Sequence, residues 1–301
     1  MSTLVFGHKS PDTDSVVSAI ALAGLIDGEA RVQGEINKET EFVLSKFGLA
    51  EPKLVVSVAG EKVAIVDTTD PMQLPDDIAD AEVVRIVDHH QLGGLKTTGP
   101  VDADIRAWGC TATIIWSLFV DIRKQEISPE IAGALMCAIL SDTVMFESPT
   151  TTKYDRQAVE ELAKIAGIAN YEALGMEMLK VKSSIANDSA ADLVKRDFKD
   201  FDFGGKKVGI GQVELVDLGM FDDKKAGVVA EMKKLKDSGN YWGIIMLITD
   251  VMKEGSLVLV DADDNARVGE ILGGDLSAGE GWIDGMMSRK KQVAAPLSEK
   301  F

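Results

Sequence analysis

Six side chains of this chain have the types and spacing to hold metal ions: His8, Asp12, Asp14, Asp67, His89 and Asp142. Three of them fall in one short stretch, Gly7-His8-Lys9-Ser10-Pro11-Asp12-Thr13-Asp14-Ser15. His8, His89 and His90 are the only histidines in 301 residues, and the last two directly follow Asp88. Four carboxylates cannot converge as free anions, because two of them about 4 Å apart repel by roughly 4 kcal/mol at an effective dielectric near 20. Convergence requires protonation or cations, and interleaved imidazoles favour cations. Oxygen and nitrogen ligands without thiolates suit octahedral Mn²⁺, Co²⁺ or Fe²⁺, or Zn²⁺. Six ligands exceed one tetrahedral zinc and fit two metals that share a carboxylate. Two metals about 3.5–4 Å apart can bridge a hydroxide and stabilise in-line attack on phosphorus. Asp67, alone at the end of its apolar run, is the natural shared ligand.

The elements that must position these groups are legible around them. Thr3-Leu4-Val5-Phe6 reads as a strand, and Ser15 to Ile26 as the helix after the first loop, with Asp14 or Ser15 as N-cap. Such a loop sits at the carboxyl end of a strand, where open α/β sheets place their sites. Lys62 to Asp67 and Glu82 to Asp88 read as further strands ending in acids, and their apolar continuity suits a sheet covered on both faces. Lys53 to Val58 reads as a strand, and Val101 to Ala107 as an edge strand. Helices are expected at Glu39 to Phe47, Thr111 to Lys124, from Ser128-Pro129-Glu130 toward Asp142, Thr152 to Ala166 with Gly167 as C-cap, and Tyr171 to Ala186. The small, polar stretch 183–191 reads as a linker between domains at 1–185 and 192–301. Beyond it, Lys207 to Leu215, Tyr241 to Thr249 and Ser256 to Asp261 read as strands, and Lys224 to Asp237 as a helix. The expected fold is α/β with two domains. The first is a mainly parallel sheet with helices on both faces, and the second a smaller mixed α/β unit.

Composition narrows the function. Hydrophobic residues make up 46% and charged residues 27%, as in a soluble globular protein. Formal charge is −17, which disfavours nucleic acid and anionic lipid as partners. Small anions are disfavoured too, so an anion site needs its own cations. Cys110 and Cys137 read as buried free thiols in helices, consistent with a reducing cytoplasm. The N-terminus carries no signal-peptide pattern, and no apolar run reaches the roughly 18 residues a span needs.

The two motifs Gly7-His8-x-x-Pro11-Asp12-x-Asp14-Ser15 and Val87-Asp88-His89-His90 resemble the DHH phosphoesterase superfamily. Nearly the whole chain is similar to family II, manganese-dependent inorganic pyrophosphatases. Gly109-Cys110-Thr111-Ala112-Thr113, Ser141-Asp142-Thr143-x-x-Phe146-x-Ser148-Pro149-Thr150 and Ser288-Arg289-Lys290-Lys291-Gln292-Val293 support that resemblance. It implies hydrolysis of pyrophosphate to two phosphates in a DHH domain completed by a DHHA2-like domain. It implies His8, Asp12 and Asp67 on one Mn²⁺, and Asp14, Asp67, His89 and Asp142 on a second. Co²⁺ would substitute, and further Mg²⁺ or Mn²⁺ would arrive with substrate. It places His90 near the phosphate or leaving group, and Lys199, Arg289, Lys290 and Gln73 on substrate. Asp88 is expected to orient a neighbouring imidazole. A homodimer formed edge to edge through the N-terminal sheet is also implied. One departure stands out: Asp67-Thr68-Thr69-Asp70 occupies the place of the family's usual Asp-His-Asn-Glu. Alternatives within the superfamily are an exopolyphosphatase or an oligonucleotide phosphodiesterase, for which a basic groove is expected. A non-catalytic metal-binding regulator is a further alternative.

Overall fold

The computed structural model describes residues 2–123 and 125–300 of the chain. These divide into two compact units, Met1–Lys182 and Ser183–Phe301. In the first, β1 (Leu4–Phe6), β2 (Glu29–Val32), β3 (Lys53–Leu54), β4 (Lys62–Val66), β5 (Glu82–Asp88) and β6 (Asp102–Ile105) form one sheet in the order β3-β2-β1-β4-β5-β6. Every pairing is parallel. Val63 to Val66 are all fully buried, which is why β4 reads as an unbroken apolar run rather than an alternating one.

Helix α1 (Thr13–Leu25) starts two residues before its expected position, because Asp12 rather than Asp14 or Ser15 is the cap. The Asp12 carboxylate accepts the Ser15 N–H at 2.9 Å, the N3 contact typical of an aspartate cap. Helix α2 spans Lys38–Lys46 and α3 spans Thr111–Ser117. The segment after α3 winds as a π-helix over Leu118–Arg123, and the expected helix end at Lys124 lies outside the described residues. Ser128 caps α4 (Pro129–Asp142), and Gly167 ends α5 (Lys153–Ala166) in the left-handed conformation, both as expected. Helix α6 (Tyr171–Lys182) stops four residues short of its expected end at Ala186. The strand expected over 53–58 pairs only at Lys53–Leu54. Past it, the Val58 and Ala59 amides donate to the Asp77 carboxylate, so a side chain replaces the ladder.

The second unit has a mixed five-stranded sheet ordered β11-β10-β9-β8-β7. Its strands are β7 (Lys199–Phe203), β8 (Lys206–Leu215), β9 (Gly243–Asp250), β10 (Gly255–Ala262) and β11 (Glu280–Asp284). Only β8 and β9 pair in parallel, joined by the long helix α8 (Asp222–Gly239). Strand β9 lies between two cores: Ile245 and Leu247 face one, and Ile244, Met246 and Ile248 the other. Strands β7 and β11, and helices α7 (Ala190–Lys195), α9 (Asn265–Leu272) and α10 (Ala295–Lys300), add to the sequence expectation. No helix among the described residues is long and apolar enough to cross a membrane.

One buried carboxylate ties α3 to α5. Asp155 accepts the Thr152 N–H at 2.7 Å in a capping box, the Gly109 N–H at 3.0 Å and the Thr113 hydroxyl at 2.6 Å. Several hydrogen bonds to one charged acceptor are lost together in Asp155→Ala. Urea denaturation should show a loss of about 3 kcal/mol; a loss below about 1 kcal/mol would contradict this role.

Candidate metal centre

The strand order reverses between β1 and β4, and such a reversal opens a crevice at the carboxyl ends of the strands. Phe6 aligns with Ile65, and Val66 with Val87, so three neighbouring strands end side by side. They deliver His8, Asp67 and Asp88-His89-His90 to that crevice. Gly7 makes the first exit possible, since a Cβ there would stand 1.9 Å from Ser15 Oγ. Asp67 turns out of β4 with φ of 63°, a left-handed conformation that an aspartate tolerates better than a bulky residue.

Asp67 lies between two imidazoles. Its Oδ2 is 3.3 Å from His8 Nε2, and its Oδ1 is 3.5 Å from His89 Nε2. Asp12 Oδ2 is 3.6 Å from His8 Nε2, and Asp142 Oδ2 is 3.3 Å from His89 Nε2. The ligand atoms of His8, Asp12 and Asp67 all lie within 4.8 Å of one another, as do those of Asp67, His89 and His90, and those of Asp14, Cys110 and Asp142. The first two groups share Asp67; the third, with Asp14 and Asp142, is joined to them by the 3.3 Å contact between His89 and Asp142.

The supporting contacts fix these atoms. His89 Nδ1 lies 3.1 Å from the Trp108 carbonyl, which can only accept. Nδ1 therefore donates there, and Nε2 is the ring atom that faces the carboxylates. Asp14 accepts the Thr111 and Ala112 N–H groups at 2.8 and 2.9 Å, at the start of α3. The Thr111 hydroxyl donates to Asp67 Oδ1 at 3.0 Å. Asp88 Oδ1 accepts from His90 N–H and from His90 Nδ1, both at 3.0 Å, the orienting contact expected of it. Asp142 Oδ2 is buried and has no hydrogen bond. A buried carboxylate oxygen of that kind, facing His89 Nε2, fits a cation, and the oxygen and nitrogen donor set fits Mn²⁺.

Sequence reasoning missed three participants. Glu39 is fully buried and accepts from the Thr13 hydroxyl at 2.9 Å and the Ser141 hydroxyl at 2.8 Å. Lys182 Nζ lies 3.3 Å from Glu39 Oε2 and donates to Ser141 Oγ at 3.2 Å. These contacts lock α1 beside Asp12 and Asp14 to α4 beside Asp142. Cys110 is the third: it precedes the first turn of α3 without a side-chain capping bond rather than lying inside a helix, and its Sγ joins Asp14 and Asp142. A lone thiol and a first-turn glutamate carry no sequence signal for this placement.

A hollow of about 430 Å³ adjoins the centre, lined among others by His8, Ser10, Asp67, Gln73 and His90. Gln73, expected to touch substrate, is one of the lining residues, and the His90 ring is half exposed there. Lys199, Arg289 and Lys290 belong to the second unit. Lys199 and Lys290 are exposed, Lys290 on a π-turn capped by Ser288. Arg289 is largely buried: its guanidinium holds the Asp197 carboxylate at 2.9 Å and also the Asp197 carbonyl.

Without metal, the centre stores protons. Burial and the nearby Asp14 charge hold Asp67 well above the usual carboxylate range. Burial, then Asp14 and Asp12, push Asp142 up to about 8. Burial opposes protonation of His8, but Asp12 and Asp67 outweigh it and raise His8 to about 10. All three groups bind more protons in the fold than in the unfolded chain, so each withdraws stability as pH rises. Asp12, lowered by the His8 hydrogen bond against its own burial, works in the opposite sense and only in acid. The metal-free protein should therefore melt lower at pH 9 than at pH 5.5. Asp142→Asn should flatten that slope, and Mn²⁺ should remove much of it by displacing the protons. Calorimetry at fixed ionic strength checks this, and a melting temperature rising from pH 5.5 to pH 9 would contradict it.

Known proteins match the chain over nearly its whole length. The DHH family N-terminal domain model matches residues 2–139, and the DHHA2 domain model residues 176–300. The chain is 46% identical to a protein of Archaeoglobus fulgidus assigned as a manganese-dependent inorganic pyrophosphatase, over 99% of this chain and 97% of the relative. It is 44% identical to the manganese-dependent inorganic pyrophosphatase of Methanocaldococcus jannaschii, over 99% and 98%. A Methanococcus jannaschii crystal structure, described as a family II inorganic pyrophosphatase, superposes with a TM-score of 0.64 at 42% identity, covering 98% of each chain. The chain belongs to the DHH family, in the group that joins a DHH domain to a DHHA2 domain: the family II, manganese-dependent inorganic pyrophosphatases.

Proposed function

We propose that this chain hydrolyses inorganic pyrophosphate to two phosphates at the centre around Asp67, with Mn²⁺ as cofactor. The observation that carries this reading is the pairing of each Asp67 oxygen with a different imidazole, His8 on one side and His89 on the other. One Mn²⁺ would be held by His8, Asp12 and Asp67. A second would be held by Asp14, Asp67, His89 and Asp142, with Co²⁺ able to substitute and further Mg²⁺ or Mn²⁺ entering with substrate. When bound, such ions activate water as a nucleophile and screen the charge of the phosphoryl oxygens.

The protein supplies the rest. His89 keeps its proton on Nδ1, toward Trp108, and so leaves Nε2 for metal. His90 is raised by its hydrogen bond to Asp88, against its own burial. Its Nε2 would carry a proton toward a phosphate oxygen, assisting the leaving group. Gln73, Lys199, Lys290 and Arg289 would bind the remaining oxygens, Arg289 already oriented by Asp197. Lys290, exposed on its turn, would meet charge that grows in the transition state and so raise turnover. We read the chain as a cytoplasmic homodimer that binds neither nucleic acid nor membrane. The buried free thiols, the acidic charge and the edge position of β6 support this.

Phosphate release from pyrophosphate, tripolyphosphate, polyphosphate and a dinucleotide, measured with Mn²⁺, tests the reading. Pyrophosphate should be preferred by orders of magnitude; preference for polyphosphate or the dinucleotide would favour the other superfamily activities. Asp67→Asn should lose activity by orders of magnitude together with stoichiometric Mn²⁺ binding. Wild-type metal content with near-normal turnover would rule out a shared ligand. Lys290→Ala should lose on the order of 10²-fold in kcat/KM, or about 2.7 kcal/mol, and Lys291→Ala far less. Equal, small losses at both would make the basic run a solvated face.

A further inference from the structure

Thr68-Thr69-Asp70, the stretch directly after Asp67, is bonded to the loop after His90 and, through the turn that ends at Gln73, is joined to the loop that carries His8. On one side, Thr69 Oγ1 accepts the Gly93 N–H at 2.8 Å and lies 3.5 Å from the Gln91 carbonyl. The Thr69 carbonyl accepts the Leu95 N–H at 3.1 Å. The loop after His90 is thereby fastened to a residue two positions past Asp67. The approach is as close as backbones allow: a Cβ on Gly93 would stand 2.4 Å from Asp70 Cα and 2.5 Å from Asp70 N. On the other side, Thr68 Oγ1 accepts the Asp70 N–H at 3.1 Å, and the Asp70 carboxylate caps the turn Pro71–Gln73. The Gln73 carbonyl then accepts the Lys9 N–H at 2.9 Å, next to His8. Thr68, Thr69, Gln91 and Gly93 all line the hollow beside the centre.

These contacts join groups of unlike exposure. Thr69 is 4% exposed, whereas Gly93 and its neighbours lie at the surface. If the Thr69 hydroxyl is removed, water can take the Gly93 N–H, so the fold loses little. What is lost is the fixed distance between His90 and Asp67. His90 is the one imidazole of the three with a half-exposed ring; Asp88 holds its Nδ1 at 3.0 Å, and the loop beyond, fastened at Gly93, holds the backbone that carries it. We propose that Thr69 is a positioning residue of the pyrophosphate site: its hydroxyl latches the 91–95 loop and so holds His90 at the hollow. The proposal rests on the pyrophosphatase reading for its kinetic part and on the hydrogen bond alone for its structural part.

Thr69→Val removes the hydroxyl at nearly constant shape, and Thr69→Ser keeps it. Three readouts decide: Mn²⁺ content, steady-state hydrolysis of pyrophosphate, and hydrogen exchange of the 91–95 amides. Thr69→Val should retain wild-type Mn²⁺ and a melting temperature close to wild type. It should lower kcat about ten- to hundredfold with KM changed less than about threefold, as a small displacement of a catalytic group does. Its 91–95 amides should exchange on the order of tenfold faster. Thr69→Ser should restore both kcat and protection to within about threefold. Unchanged exchange in Thr69→Val would show that no latch exists. Faster exchange with unchanged kcat, or equal losses in the Val and Ser variants, would overturn the positioning role. A wild-type chain that releases no phosphate from pyrophosphate, yet loses 91–95 protection only in Thr69→Val, would overturn the pyrophosphatase reading and leave the latch standing.

Discussion

Mutual repulsion among buried carboxylates governs the first unit. Asp14 and Asp67 are almost fully buried, Asp12 and Asp142 lie beside them, and Asp142 keeps an oxygen without a hydrogen bond. Two such charges about 4 Å apart cost roughly 4 kcal/mol at an effective dielectric near 20. The metal-free fold meets that cost by holding protons on Asp67 and Asp142 and by charging His8. Divalent ions would do the same work better, since they bring more positive charge to a fixed set of donors. Metal affinity and folding are therefore linked: whatever keeps the carboxylates together in the absence of metal sets how tightly metal is held.

What keeps them together lies largely outside the ligands. The strand order places β1, β4 and β5 side by side, so their exits converge without long loops. The amides at the start of α3 hold Asp14, and the Thr111 hydroxyl holds Asp67. Asp155 fixes the segment before α3, and Glu39 with Lys182 and Ser141 joins α1 to α4. In the second unit, a similar logic supports the basic turn. The Gln212 side chain accepts the Arg289 N–H, and Gln292 accepts the Met287 and Ser288 N–H groups. Exposed Lys290 is thus presented on a backbone with its hydrogen bonds satisfied.

Much of the centre was legible because its ligands follow apolar runs. Val83 to Val87 and then Asp88 gave β5 residue for residue, and Ser128-Pro129 gave the start of α4. The cap of α1 was not legible, since Asp12, Asp14 and Ser15 are all good capping types and only the fold selects among them. Strands β7 and β11 are five residues each and interrupted by charges, as in Lys199-Asp200-Phe201-Asp202-Phe203, and such edge strands lack the continuous apolar signal. Glu39 reads as an ordinary first-turn acid, and its partner Ser141 lies 102 residues away. Arg289 is expected on substrate, and its inward pairing with Asp197 carries no local signal. Pairings of that kind depend on tertiary distance, which no local pattern records.

The most direct measurement is anomalous diffraction at the manganese edge from crystals grown with Mn²⁺. Two peaks about 3.5–4 Å apart are expected. Both should lie within bonding distance of Asp67, one also near His8 and Asp12 and the other near Asp14, His89 and Asp142. A single peak, or two peaks of which Asp67 touches only one, would contradict a shared-carboxylate centre.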